Sequence, residues 1–236
     1  MKGLFITGTD TEIGKTCITA ALTHALQEAG ARVVPIKPLA AGQFQDAQGR
    51  WVNEDVLQLH AAQTGGFSLE TVGPLQFREP CAPHIAARLE GRTIARGPLL
   101  AAIEASAAQA PLALVEGVGG FRVPLGEGYD TADLAQDLGL PVVLVVGLRL
   151  GCINHALLTA EALRARGLRL AAWVANTVDP AQPHVADNLA ALATGLGAPC
   201  WGHVPRLSHP SPAAVAASFD LPPAALLQAV LQVQEP

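Results

Sequence analysis

The chain has 236 residues, half of them hydrophobic and only 15% charged, with a net charge of −5 at neutral pH. A negative, sparsely charged chain has no electrostatic footprint for nucleic acid. Its charge content also falls below the ~25% of an ordinary soluble domain, which fits burial of some surface between subunits. The apolar content is ample for the core of one α/β domain, expected over residues 1–236.

Arginine carries nearly all the positive charge: Lys2, Lys15 and Lys37 are the three lysines. The four cysteines, Cys17, Cys81, Cys152 and Cys200, have no close pairing in sequence. They read as reduced, mostly buried thiols rather than a zinc or redox motif. No leader segment and no unbroken apolar stretch of membrane-spanning length is apparent. A soluble cytoplasmic protein with no membrane or nucleic-acid partner is expected.

The first predicted strand, residues 3–7, runs into the loop GTDTEIGKT at 8–16 and then a helix over 15–29 that stops at Gly30. Strand, glycine-bounded loop and helix together form a phosphate cradle. Inward backbone N–H groups and the helix N-terminus attract an anion, Lys15 reaches terminal phosphates, and the Thr16 hydroxyl is a Mg²⁺ ligand. Thr9 stands where the common pattern has its first glycine, and Gly8 lies one residue earlier. The chain is therefore expected to bind a nucleoside triphosphate.

A second strand over 32–37 ends in Lys37, and the polar stretch 42–52 reads as a mobile loop. A helix over 54–63 follows, with 71–83, rich in proline, expected to be irregular. Next come a helix over 98–109 and an apolar strand over 112–116 ending in Glu116 and a glycine-rich turn. Helices over 131–139, 153–166, 185–196 and 222–232 alternate with strands over 141–146, 170–175 and 198–203. The proline- and alanine-rich tail over 206–223 is expected to wrap the outside. Apolar runs without polar alternation mark strands covered on both faces. The pattern predicts a doubly wound, mostly parallel sheet flanked by helices, of the P-loop NTPase kind, with ligands beyond the carboxyl ends of its strands.

At that rim the loop, Lys37 and Glu116 should converge. An acid at the end of an apolar strand is a natural Mg²⁺ partner. Asp55 either completes the metal shell or caps its helix. His84 reads as a helix-start residue rather than a catalyst. The N–H groups of 151–155 either hold a carboxylate or form an ordinary first turn.

Loop 8–16, Lys37-Pro38, Pro83-His84, VEGVGG at 115–120, LGCINHA at 150–156 and Val174-Ala175-Asn176 occur in the order found in dethiobiotin synthetases, and the chain resembles that family from residue 3 to about 207. The resemblance implies a homodimeric ligase of biotin biosynthesis. It would use ATP, Mg²⁺ and CO₂ to carboxylate 7,8-diaminononanoate, phosphorylate the carbamate and close the ureido ring. It implies catalytic roles for Lys15, Lys37 and Thr11. Nucleotide contacts would come from Thr9, Glu12, Ile13, Gly14, Lys15, Thr16, Cys17, Asn176, Pro205 and Leu207, and Mg²⁺ ligation from Thr16, Asp55 and Glu116. Substrate would be held by Lys37, Ala41, Gly119 and Gly120, and by Leu150, Gly151, Cys152, Ile153 and Asn154 of the neighbouring subunit.

One position departs from the family: serine is usual where this chain has Ala41. That removes one hydrogen bond to the carbamate, roughly 0.5–1.5 kcal/mol. Slower handling of the carbamate is expected, or else an altered substrate. Two rival readings are a corrinoid amide synthase, for which the chain lacks room for a glutaminase domain, and a partition-type switch ATPase. The latter would carry a second lysine early in the loop, where Thr11 and Glu12 stand here, and often a basic amphipathic tail.

Overall fold

Six apolar runs pair side by side in the computed structural model, which describes residues 1–234; the last two positions of the domain expected over 1–236 lie outside the described residues. In chain order the elements are β1 (Gly3–Gly8), α1 (Lys15–Glu28), β2 (Val33–Ile36), β3 (Leu39–Ala41), β4 (Gln43–Gln45), β5 (Trp51–Asn53), α2 (Glu54–Ala62), α3 (Leu69–Val72), β6 (Leu75–Phe77), α4 (Pro83–Leu89) and α5 (Arg96–Ala107). They continue as β7 (Leu112–Glu116), β8 (Pro124–Gly126), β9 (Tyr129–Asp130), α6 (Thr131–Leu138), β10 (Val142–Leu148), α7 (Cys152–Ala165), β11 (Leu170–Thr177), α8 (Val185–Leu196), β12 (Cys200–Val204), α9 (Pro212–Ala216) and α10 (Pro223–Gln232).

The main sheet has the order β12-β11-β10-β1-β7-β2, and all its pairings are parallel. The chain begins at β1 inside the sheet, builds β2 and β7 on one side, then winds the other way through β10. Strand order therefore reverses at β1, which opens a crevice beyond its carboxyl end. Both faces are covered. Leu4 and Ile6 pack with Leu22 and Leu26 of α1, whereas Phe5 between them packs with Val56 and Leu59 of α2 and Ile103 of α5. That is the period-two alternation of a strand with two dry faces. A third cluster joins Leu144, Val146 and Trp173 to Ala156 and Ala160 of α7 and Leu192 of α8.

The expected parallel sheet and its flanking helices are therefore present, with boundaries moved by a few residues. β10 and β11 each run two residues further than expected, so Asn176 lies inside a strand. Two segments differ in kind. The stretch over 42–52 is not a loop but most of an antiparallel hairpin, β4 with β5. Its turn is fixed by Asp46, whose Oδ1 accepts from the Gln48 and Arg50 amides, both at 2.9 Å, an Asx-type closure. Within 71–83, β6 pairs in parallel with β3, and the irregular stretches are Gly73-Pro74 and the segment between β6 and α4. The tail over 206–223 does lie mostly on the outside, pinned by Val215 of α9, whereas α10 beyond it buries Leu226 and Val230 in the α1-side cluster. Of the cysteines, Cys152 is buried and the other three are half-buried, so "mostly buried" does not hold.

Because α10 completes one face of the core, Leu226→Ala should cost about 2–5 kcal/mol in denaturant titration. A loss below about 0.5 kcal/mol, the range of neutral surface substitutions, would show that α10 only drapes over the surface.

Candidate active site

The carboxyl rim of the sheet carries the charged residues that close its apolar strands. The register sets the central pair: Ile36 of β2 lies opposite Val115 of β7, so the next residues along, Lys37 and Glu116, meet. Lys37 Nζ lies 2.6 Å from Glu116 Oε1 and 2.9 Å from Asp55 Oδ2. Thr16 Oγ1 donates to the same Glu116 oxygen at 2.7 Å. Glu116 is wholly buried and Lys37 is 3% exposed. Burial works against the Lys37 charge, but Glu116 and Asp55 outweigh it and lift its pKa above the ordinary lysine value. Burial opposes the Asp55 charge as well, and Lys37 overrides it, holding that carboxyl below the usual range. The cap question raised by Asp55 has a clear outcome: Asn53 caps α2, and Asp55 faces Lys37.

The loop from Gly8 to Gly14 crosses in front of this pair. Glu12 and Gly14 both adopt positive φ, 57° and 85°. A left-handed residue between right-handed ones turns successive N–H groups to one side. Gly14 is required there, since a Cβ would collide with the Asn176 side-chain amide. Lys15 opens α1, is 6% exposed, and donates to the Asp10 carbonyl at 2.8 Å. Burial and the nearby Lys37 charge lower its pKa to about 8. Two ammonium groups forced together inside one cavity make a receptor for a polyanion.

A cavity of about 760 Å³ opens over these groups. Its walls include Thr11, Glu12, Gly14, Lys15, Thr16, Cys17, Lys37, Ala41, Asp55 and Gly119. Sequence reasoning thus brings ten of its site residues to one place, at a size suited to a small-molecule ligand. Other expected residues stand around it. Ile13 is 1% exposed and packs in the core, so it can meet a ligand only through its backbone. The Thr9 amide already donates to Val145 O at 3.0 Å, which makes Thr9 a fastener of the loop. Asn176 Nδ2 donates to Ile13 O at 2.9 Å, bracing the loop from behind. Gly120 packs near the backbone of the loop. Pro205 and Leu207 follow β12 outside the cavity wall, Pro205 exposed and Leu207 half-buried. Leu150 to Asn154 follow β10 and do not line this chain's cavity; Leu150 is 96% exposed. His84 sits in the first turn of α4, with Nδ1 3.0 Å from Pro124 O.

Two residues escaped the sequence reading. Asp10 accepts Lys15 on its carbonyl, receives the Thr11 amide on Oδ1 at 2.8 Å and pairs with Arg149. Asn53 binds both neighbouring walls of the cavity. Loop acids and helix caps are common, so the further contacts of these two residues carry no signal in the sequence.

Among the described residues, no group of three His, Cys, Asp or Glu is placed to hold a metal ion. A metal here would need a hydroxyl, one or two carboxylates and oxygens from a bound ligand, which is the Mg²⁺ preference. The donor set meets that test: Glu116 Oε2 is buried without any hydrogen-bond partner, an acceptor that costs free energy until something satisfies it.

The chain also matches the model of a family described as an AAA domain, over residues 2–214. It is 54% identical to an ATP-dependent dethiobiotin synthetase of Aromatoleum aromaticum, covering 94% of this chain and 98% of that protein. The chain belongs to the dethiobiotin synthetase family. A second dethiobiotin synthetase, from Ralstonia nicotianae, is 52% identical over 93% of this chain and 95% of its own length. Among solved structures, a ParA family ATPase from Chlorobium tepidum has a TM-score of 0.56 at 13% identity, covering 98% of this chain and 99% of that one. At that identity the likeness concerns the fold alone. The parallel sheet flanked by helices is what the two share.

Breaking the buried pair should expose its energetics. Lys37→Met alone leaves Glu116 buried without its cation and should cost about 3–5 kcal/mol, while Lys37→Met with Glu116→Gln should recover most of it. Additive losses in chemical denaturation would mean the two side chains do not depend on each other.

Proposed function

We propose that this chain is a cytoplasmic, homodimeric dethiobiotin synthetase that converts 7,8-diaminononanoate, CO₂ and ATP into dethiobiotin, ADP and phosphate. The observation that carries the reading is identity above 50% with ATP-dependent dethiobiotin synthetases across nearly the whole chain. The site supports it with two buried ammonium groups over one cavity.

In the proposed sequence, one substrate amine attacks CO₂ and loses a proton, forming a carbamate. A carbamate oxygen then attacks the γ-phosphorus, and the bond to ADP breaks. The second amine attacks the carbonyl carbon of the resulting anhydride; phosphate departs, and the amine gives up a proton. Phosphoryl transfer needs alignment and charge neutralisation more than covalent help. Lys15 would leave the Asp10 carbonyl for the γ-phosphate. Lys37, fixed by Glu116 and Asp55, would stand between that phosphate and the carbamate. Its charge persists at neutral pH because its partners raise its pKa, so it neutralises the transferring group without reorganising. Thr11 and Glu12 would face the amines or the phosphates, and Gly119 would let backbone approach the diamine. Ala41 offers no hydroxyl at the wall beside Lys37.

Thr16, Asp55 and Glu116 would hold Mg²⁺, which on binding would offset charge on the phosphate oxygens. Asn176, Pro205 and Leu207 would frame the base. With Nδ2 donating to Ile13 O, Asn176 would offer its Oδ1 as an acceptor to the exocyclic amine of adenine. The segment from Leu150 to Asn154 would serve the partner's site, holding the substrate carboxylate on the amides that open α7. Leu150, 96% exposed, and Leu158 of α7, 56% exposed, suit contact with a second copy.

Phosphate release should require ATP, bicarbonate and the diamine together, and should fall sharply when GTP replaces ATP. Release with ATP alone would instead favour a switch ATPase of the partition kind. Mixing Lys15→Ala and Asn154→Ala variants, each inactive alone, should restore activity in hybrid dimers carrying one intact composite site. Absence of complementation, with hybrid formation verified, would place each site within one subunit.

A further inference from the structure

Asn53 is buried, 5% exposed, at the last position of β5. Its side chain is used at both ends. Oδ1 accepts from the Val56 amide at 3.3 Å and caps α2. Nδ2 donates to the carbonyls of Ala41 and Gly42, both at 3.1 Å. Two positions further on, Asp55 pairs with Lys37, and Ala41 lines the same cavity from its other wall. The receiving end is rigid. Gly42 has φ 91°, a Cβ there would lie 3.2 Å from Pro80 Cβ, and its amide donates to Phe77 O at 3.0 Å.

A helix cap alone would not need asparagine, because serine or aspartate serves equally well. What asparagine adds is a donor group on the same side chain, which serine is too short to supply and aspartate lacks. The amide spans two walls: the helix start bearing Asp55 and the strand end bearing Ala41. We propose that Asn53 is a positioning residue that keeps the Asp55 carboxylate in register with the Ala41–Gly42 wall, so that metal-side and substrate-side constants of the reaction move together when its amide is lost. For those constants the inference rests on the reaction proposed above.

Asn53→Ser keeps the cap oxygen and removes the brace, whereas Asn53→Ala removes both. Asn53→Ala should lower the melting temperature by about 2–8 °C, and Asn53→Ser by less. In both variants the half-saturating Mg²⁺ concentration and the KM for the diamine should each rise by about 10-fold, the scale expected when a supporting residue of a metal site is lost. Amide hydrogen exchange over residues 39–45 should quicken in Asn53→Ser without a matching change over 56–62. Both constants staying within about two-fold of the wild-type values in Asn53→Ser would overturn the proposal and leave Asn53 as a cap. Should the wild-type chain not turn over the diamine, the proposed reaction fails and exchange decides alone. Faster exchange over 39–45 in Asn53→Ser then upholds the brace, and unchanged exchange overturns it.

Discussion

A single buried ion pair, Lys37 with Glu116, governs the geometry of the whole rim. Taking both charges out of water is costly, and only close geometry with further hydrogen bonds offsets the cost. The sheet provides that geometry: β2 and β7 are neighbours in register, and the two residues continue the ladder just past its last apolar pair. Thr16 adds a hydrogen bond from the opening turn of α1, and Asp55 adds a second carboxylate from α2. Four elements, β2, β7, α1 and α2, are thereby tied together at one carboxylate group and one ammonium group, and the cavity wall inherits their rigidity.

Lys15 completes the arrangement from the opposite sense. Its own charge is disfavoured by burial and by Lys37, and its hydrogen bond goes to a backbone carbonyl rather than to a carboxylate. Lys37 meets two carboxylates of the chain, whereas the Lys15 ammonium donates to a main-chain oxygen. Fold and chemistry meet at this point, because the same helix start that presents Lys15 is fixed by Thr16 to the sheet.

Much of this was legible in the sequence. The six sheet strands are visible because a strand covered on both faces must be apolar throughout. Lys37 and Glu116 are visible because a charge ending such a run has few places to go. The hairpin over β4 and β5 was not legible: its strands are three residues each, only half of them apolar, and its turn is set by Asp46. The anchor of the outer tail was not legible either, since the short α9 around Val215 offers too few residues for a periodic pattern. Asn53 was readable as a cap but not as a brace, because its second set of partners, Ala41 and Gly42, is brought near only by the hairpin.

The burial of two lysines out of three leaves an unusual distribution of amines. Lys2 is exposed and precedes β1, at the end of the sheet opposite the cavity. Lys15 and Lys37 are 6% and 3% exposed. Reagents that acylate ε-amines therefore find one lysine side chain in open solvent, on the far pole of the molecule. A dye, tether or solid support attached through it would leave the mouth of the cavity pointing away from the attachment.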